Sequence, residues 1–199
     1  EALEIMRRLL DGEKLTFDGE HYRTDRARLY SPPIGDVPIF MAAGGPKSAA
    51  LAARKADGII TSVKDPAGTF ERVIEPARAA AAEAGRPEPR ILATRWSIHA
   101  QDDDQAWQAL RAWRGLRAPG RLQAVDPQEL REKADDLPRE EVLGKYSRVG
   151  GPEEIVDTYR ELITEVHADI VAFQITSLDQ EATIQMLGGD VLPALRSLG

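Results

Sequence analysis

Cysteine is absent from this chain. That excludes disulfides and thiolate metal sites, and it suits a reducing compartment such as the cytoplasm. Histidine is scarce. His21, His99 and His167 stand far apart, which argues against a zinc centre. No Ser–His–Asp set is spaced so as to nominate a nucleophile and its base. No run of about 18 apolar residues occurs, so nothing reads as a membrane span. No signal-peptide pattern is visible. Basic residues are outnumbered, 26 Lys and Arg against 33 Asp and Glu, for a net charge of −7. No basic stripe interleaves with aromatics, so nucleic acid is not an expected partner. Glycine never spells G-x-G-x-x-G, which leaves a dinucleotide-type fold without its phosphate loop. Internal repeats are missing too.

What is present is enough apolar sequence, 42% of 199 residues, to build a real core. We expect a single domain over 1–199. The chain opens on Glu1 and runs at once into an amphipathic helix, with Leu3, Met6, Leu9 and Leu10 on one face. A helix that starts without an N-cap or a methionine reads as cut from something longer, so an N-terminal portion is expected to precede it. Processing to a non-methionine start is the alternative. Residues 13–23 read as a hairpin around Asp18-Gly19, and 27–30 as a further short strand. Strands are then expected at 37–42, 57–61, 90–100 and 168–174. Helices are expected at 46–55, 66–85, 102–117, 152–166, 180–187 and 191–198.

The polar stretch 118–146 breaks this alternation. We read it as a helical insertion with two short helices, near Glu129 and Glu141. Apolar strands alternating with helices make an α/β protein of parallel βα units. Four units plus an insertion fit the C-terminal half of a (β/α)8 TIM barrel; an open doubly wound sheet is the alternative.

Ligands of such barrels lie past the C-terminal ends of the strands, so those residues carry the candidate chemistry. After the strand at 37–42 comes Ala42-Ala43-Gly44-Gly45-Pro46. Glycines without a Cβ let a phosphate or a flat ring approach the main chain, and a helix N-terminus holds an anion. The same pattern also makes a tight turn with no ligand. After the next strand stand Thr61, Ser62 and Lys64, hydroxyls and a cation where an anion could reach them; a solvated surface lysine is the plain reading. His99 follows the third strand and reads first as an ordinary histidine. Gln174, Thr176 and Ser177 follow the fourth. The insertion and its flanks add Arg114, Arg117, Arg121, Lys145 and Arg148, either surface charges or cations converging on a phosphate.

Taken together these residues resemble the luciferase-like superfamily of flavin- and deazaflavin-binding barrels, and within it the coenzyme F420-dependent glucose-6-phosphate dehydrogenase family. The most specific parts are Ala42-Ala43-Gly44-Gly45-Pro46, Asp57-Gly58, Thr61-Ser62-Val63-Lys64, Lys133-Ala134-Asp135-Asp136-Leu137-Pro138 and Asp179-Gln180. The spacing from the glycine loop to Lys64 matches that family without a gap.

The resemblance implies a cytoplasmic oxidoreductase of carbohydrate metabolism, a homodimer, that moves a hydride from a sugar 6-phosphate to coenzyme F420. It implies that the loop of Ala42, Ala43, Gly44 and Gly45 supports the deazaflavin, and that Thr61, Lys64, Arg121 and Lys145 bind the sugar phosphate. Arg121 and Lys145 exchange the residue types of the family, and Arg117 is the alternative to Arg121. No catalytic residue carries over, because the family's acid–base residues lie in its N-terminal half. Alternatives are a luciferase-like F420- or FMN-dependent oxidoreductase or monooxygenase with a non-sugar substrate, or an inactive fragment kept for assembly.

Overall fold

The computed structural model describes residues 1–198; Gly199, which closes the expected domain, lies outside them. In chain order the elements are α1 (Ala2–Leu10), β1 (Leu15–Asp18), β2 (Arg23–Ala27), β3 (Phe40–Ala42), α2 (Pro46–Lys55), β4 (Gly58–Ser62), α3 (Pro66–Thr69) and α4 (Glu75–Glu83). They continue as β5 (Arg90–His99), α5 (Asp103–Ala109), α6 (Pro127–Asp135), α7 (Arg139–Leu143), β6 (Ser147–Val149), α8 (Pro152–Thr164), β7 (Ile170–Ser177), α9 (Gln180–Met186) and α10 (Leu192–Arg196). Two compact units divide the chain. The first is Glu1–Thr61 with Glu71–Ile91; the second is Ser62–Phe70 with Leu92–Gly199.

In the first unit β1 and β2 pair antiparallel, with Asp18 opposite Arg23. The Glu1 carboxylate accepts hydrogen bonds from the amides of Glu20 and His21 at 2.9 Å and of Tyr22 at 3.1 Å, fastening the hairpin loop to the start of α1. Residues 28–30 form no strand, because Ala27 already closes β2. β3 and β4 pair in parallel through Met41 and Ile59, with α2 as the crossover.

β3 is shorter than the expected 37–42. Pro38 has no N–H for a ladder, and the Ile39 amide is taken by the Asp57 carboxylate at 2.7 Å. Helix α2 packs on α4 through alanines, with Ala49, Ala52 and Ala53 on one side and Ala77, Ala80 and Ala81 on the other. Side chains this small bring the two backbones close together. The expected helix 66–85 is interrupted by one wide turn, Phe70–Ile74, just before Pro76. A proline has no N–H with which to close a regular turn.

In the second unit β5 pairs in parallel with β7 from Leu92–Ile170 to His99–Ser177, and with β6 over Ser97–His99. Alternation along β5 separates two faces. Ala93, Arg95 and Ser97 are buried; Leu92, Thr94 and Trp96 are half-buried. The buried face receives α8. Its Tyr159 donates to the Arg95 carbonyl at 3.0 Å, lies 3.1 Å from the Ser97 hydroxyl, and packs on Phe173 at 4.7 Å between ring centroids.

The expected helix 102–117 ends at Ala109. The chain turns and re-forms one tight turn at Arg114–Arg117. There Arg114 lies 4.0 Å over the Trp107 ring and pairs with Asp135 at 3.0 Å, so tertiary contacts override the helical pattern. The expected insertion helices are α6 and α7. Ile98, Ala106, Leu110 and Val142 form a shared core beneath this region.

Candidate functional site

The first unit carries the glycine loop. β3 ends at Ala42, and the Ala43 amide still bonds to the Ile60 carbonyl at 3.0 Å while its methyl is buried. Beyond it the main chain is uncovered: a Cβ built on Gly44 or Gly45 meets nothing within 4 Å. Gly45 is the N-cap of α2 and Pro46 its first residue, and no side chain caps the helix. The contrast lies in the second unit, where Asp102, Asp126 and Asp179 each accept an amide at 2.8–2.9 Å to cap α5, α6 and α9. The ten-residue α2 therefore presents an open, Cβ-free surface beside uncapped amides at its positive end, an arrangement that suits a flat ring bearing negative charge. Thr61 stands in β4 and is 3% exposed.

In the second unit the Lys64 ammonium donates to the Gly144 carbonyl at 3.1 Å. This holds it against the segment that carries exposed Lys145. The next residue, Tyr146, takes a hydrogen bond from Arg117 Nε at 3.3 Å. Lys64 thus bonds to Gly144 and Arg117 to Tyr146, the residues on either side of Lys145. Arg121 stands apart. Its amide closes a turn on Ala118 at 3.3 Å, and no hydrogen bond or ion pair among the described residues ties its side chain to that segment.

His99 has a structural partner, with Nδ1 2.9 Å from the Thr183 hydroxyl, which in turn donates to Ser177 at 2.8 Å. His167 adopts φ +56° and sits edge-on to Phe70. The Arg148 guanidinium pairs with Asp103 at 3.1 Å, and Arg114 is already committed to Asp135.

Sequence reasoning missed the aromatic walls. A cavity of about 510 Å³ lies within the second unit, lined by Trp96, Trp113, Tyr146, Gln174, Thr176 and Gln180 among others. Trp96 and Gln174 are register partners on β5 and β7. The available signal was alternation: Trp96 shares the half-buried face with Thr94, although nothing in the sequence brings Tyr146 to it.

Residues 1–169 match the family described as luciferase-like monooxygenase. The F420-dependent glucose-6-phosphate dehydrogenase of Nakamurella multipartita is 33% identical over 203 residues, and that of Mycobacterium tuberculosis 32% over 205; each alignment takes in 100% of this chain and 60% of the relative. Among solved structures, an F420-dependent secondary alcohol dehydrogenase in complex with an F420–acetone adduct superposes with a TM-score of 0.80 at 27% identity, covering 98% of this chain and 60% of that one. The coenzyme F420-dependent tetrahydromethanopterin reductase of Methanopyrus kandleri shares the fold, with a TM-score of 0.70 at 22% identity over 96% of this chain and 61% of that one.

The parallel βα units are those of a luciferase-like TIM barrel, and the chain belongs to the luciferase-like monooxygenase family. It spans about 60% of the length of the curated relatives it matches. No helix among the described residues is long and apolar enough to cross a membrane.

Proposed function

We propose that this chain is part of an oxidoreductase that transfers a hydride from a sugar 6-phosphate of the glucose 6-phosphate type to coenzyme F420. The observation that carries the reading is the placing of Lys64 at Gly144, beside Lys145, two cations without a carboxylate partner among the described residues. A phosphate dianion supplies the missing counter-charge. The relatives named above add the chemistry, and Arg121 is the further proposed phosphate contact. The open main chain of Ala42, Ala43, Gly44 and Gly45 would support the deazaflavin, which when bound supplies the hydride acceptor.

Loss of hydride from the anomeric carbon, with loss of the hydroxyl proton to a general base, leaves a lactone. His99 is engaged with Thr183, and neither His21 nor His167 follows a strand of the barrel. We assign the base to residues outside this chain. A homodimer in the cytoplasm is the proposed assembly and setting, and light scattering tests the former.

Turnover of F420 by the full-length protein with glucose 6-phosphate tests the reading. Lys64→Ala is expected to raise the KM for the sugar phosphate by about tenfold or more, the worth of one charge-assisted hydrogen bond, with a smaller change in kcat. An unchanged KM contradicts the phosphate assignment. Tighter binding of FMN than of F420 favours the monooxygenase alternative.

A further inference from the structure

We propose that Arg95 is a positioning residue: from the buried face of β5 it fixes the main chain at Val63 and so aims Lys64. This rests on the reading that Lys64 grips the phosphate of the substrate. Arg95 is 6% exposed and lies on the face that packs against α8. Its Nε donates to the Val63 carbonyl at 3.2 Å. Its NH1 donates to the Thr158 carbonyl and to the Glu161 carboxylate, both on α8 and both at 2.8 Å.

Val63 is the one residue between the end of β4 and Lys64. Its side chain is buried, and its amide donates to the Thr94 carbonyl at 2.8 Å. Both polar groups of Val63 are thus tied to consecutive residues of β5. The Val63 carbonyl and the Lys64 amide share one planar peptide unit, so a bond to that carbonyl also orients the backbone from which Lys64 departs. The lysine stem is long and flexible. Fixing its root narrows where the ammonium can reach, and here it closes on the Gly144 carbonyl at 3.1 Å.

Packing alone does not call for an arginine at this position. A buried guanidinium is costly, and an apolar side chain of similar volume often serves stability as well or better. The remaining NH2 of Arg95 has no partner among the described residues, so the cost is not fully offset by its own bonds. A methionine fills such a space. It cannot hold a carbonyl of the segment before Lys64 and two groups of α8 at once, which the fork of a guanidinium does. Tyr159 is the contrast within the same layer. Its hydroxyl meets Arg95 O and Ser97 and reaches nothing beside Lys64.

The test is steady-state kinetics of the full-length protein with glucose 6-phosphate and F420, for Lys64→Ala, Arg95→Met and the double variant. Arg95→Met is expected to raise the KM for the sugar phosphate by about fivefold or more, with kcat and the Kd for F420 within about twofold. In the Lys64→Ala background the same change is expected to add less than about twofold, because a residue that acts through Lys64 has nothing left to aim. Tyr159→Phe is expected to lower the melting temperature with KM within about twofold, which separates lost stability from lost aim. Arg95→Lys keeps one buried donor and serves where the methionine variant does not fold. It reaches fewer partners, and its KM is expected to rise by about threefold.

A KM within about twofold of native in folded Arg95→Met, or failing that in Arg95→Lys, overturns the proposal. So does a rise that multiplies in full with that of Lys64→Ala. Either result leaves the phosphate reading standing. A native KM in Lys64→Ala removes the phosphate reading, and the positioning role with it.

Discussion

At the scale of single residues, Asp57 does the most varied work in the first unit. Its carboxylate accepts the Ile39 amide at 2.7 Å and the Arg7 guanidinium, and its carbonyl accepts the Arg90 amide at 3.1 Å. Partial burial pushes the carboxyl up. The Ile39 amide, then Arg7, and more weakly Arg86 outweigh that and hold it below its ordinary value of 3.8. A carboxyl depressed by folding stabilises the native state above its ordinary value, and that stability is lost as pH falls through the folded value. Asp57→Asn is therefore expected to lower stability at neutral pH by about 1–2 kcal/mol. The difference from the native protein should shrink once the pH is below 3.8. Thermal melts across that range check it.

Asp57-Gly58 was legible as part of a resemblance. Its physical role was not, because Arg7 and Ile39 are distant in sequence. Gly58 next to it has a second reason to be glycine: a Cβ there would collide with the Phe40 ring and the Arg90 carbonyl.

At the scale of elements, the alternation of apolar runs with helical segments made most of the fold legible. The caps that Asp102, Asp126 and Asp179 place on their helices emerge only in the structure. The parallel strands follow from apolar runs separated by helices. The failures share one cause. The helical pattern of 102–117 is locally sound, yet the chain leaves it to put Arg114 on Trp107 and Gly115 against α6, where an added Cβ would stand 2.9 Å from the Leu130 carbonyl. Such contacts carry no short-range signal. Gly115→Ala is thus expected to destabilise the protein by about 1–3 kcal/mol, although alanine normally strengthens a helix; a denaturant midpoint that rises instead would refute this packing.

Tyr159 on α8 is the counterpart in the second unit. Burial pushes its phenol above the ordinary value, so it stays protonated and donates to Arg95. Tyr159→Phe is expected to cost about 1–2 kcal/mol in thermal or chemical unfolding, with no effect on ligand affinity.

At the scale of the whole molecule, the candidate site was legible to different depths. The glycine loop announces itself, since strand, glycines, proline and helix have one simple geometry. Lys64 was legible as a cation past a strand; that it reaches the Gly144 carbonyl, 80 residues away and next to Lys145, was not, because no local pattern carries that contact. The aromatic cavity needed the register of β5 and β7, which no local pattern sets.

The central claim, that this family member holds coenzyme F420 on bare main chain, is tested most directly by F420 affinity in Gly44→Val. A side chain at Gly44 meets nothing in the chain itself, so the melting temperature should move by no more than about 2 °C. The claim predicts that F420 binding weakens by about tenfold or more, as a side chain fills the space meant for the ring. Native affinity in that variant would contradict it.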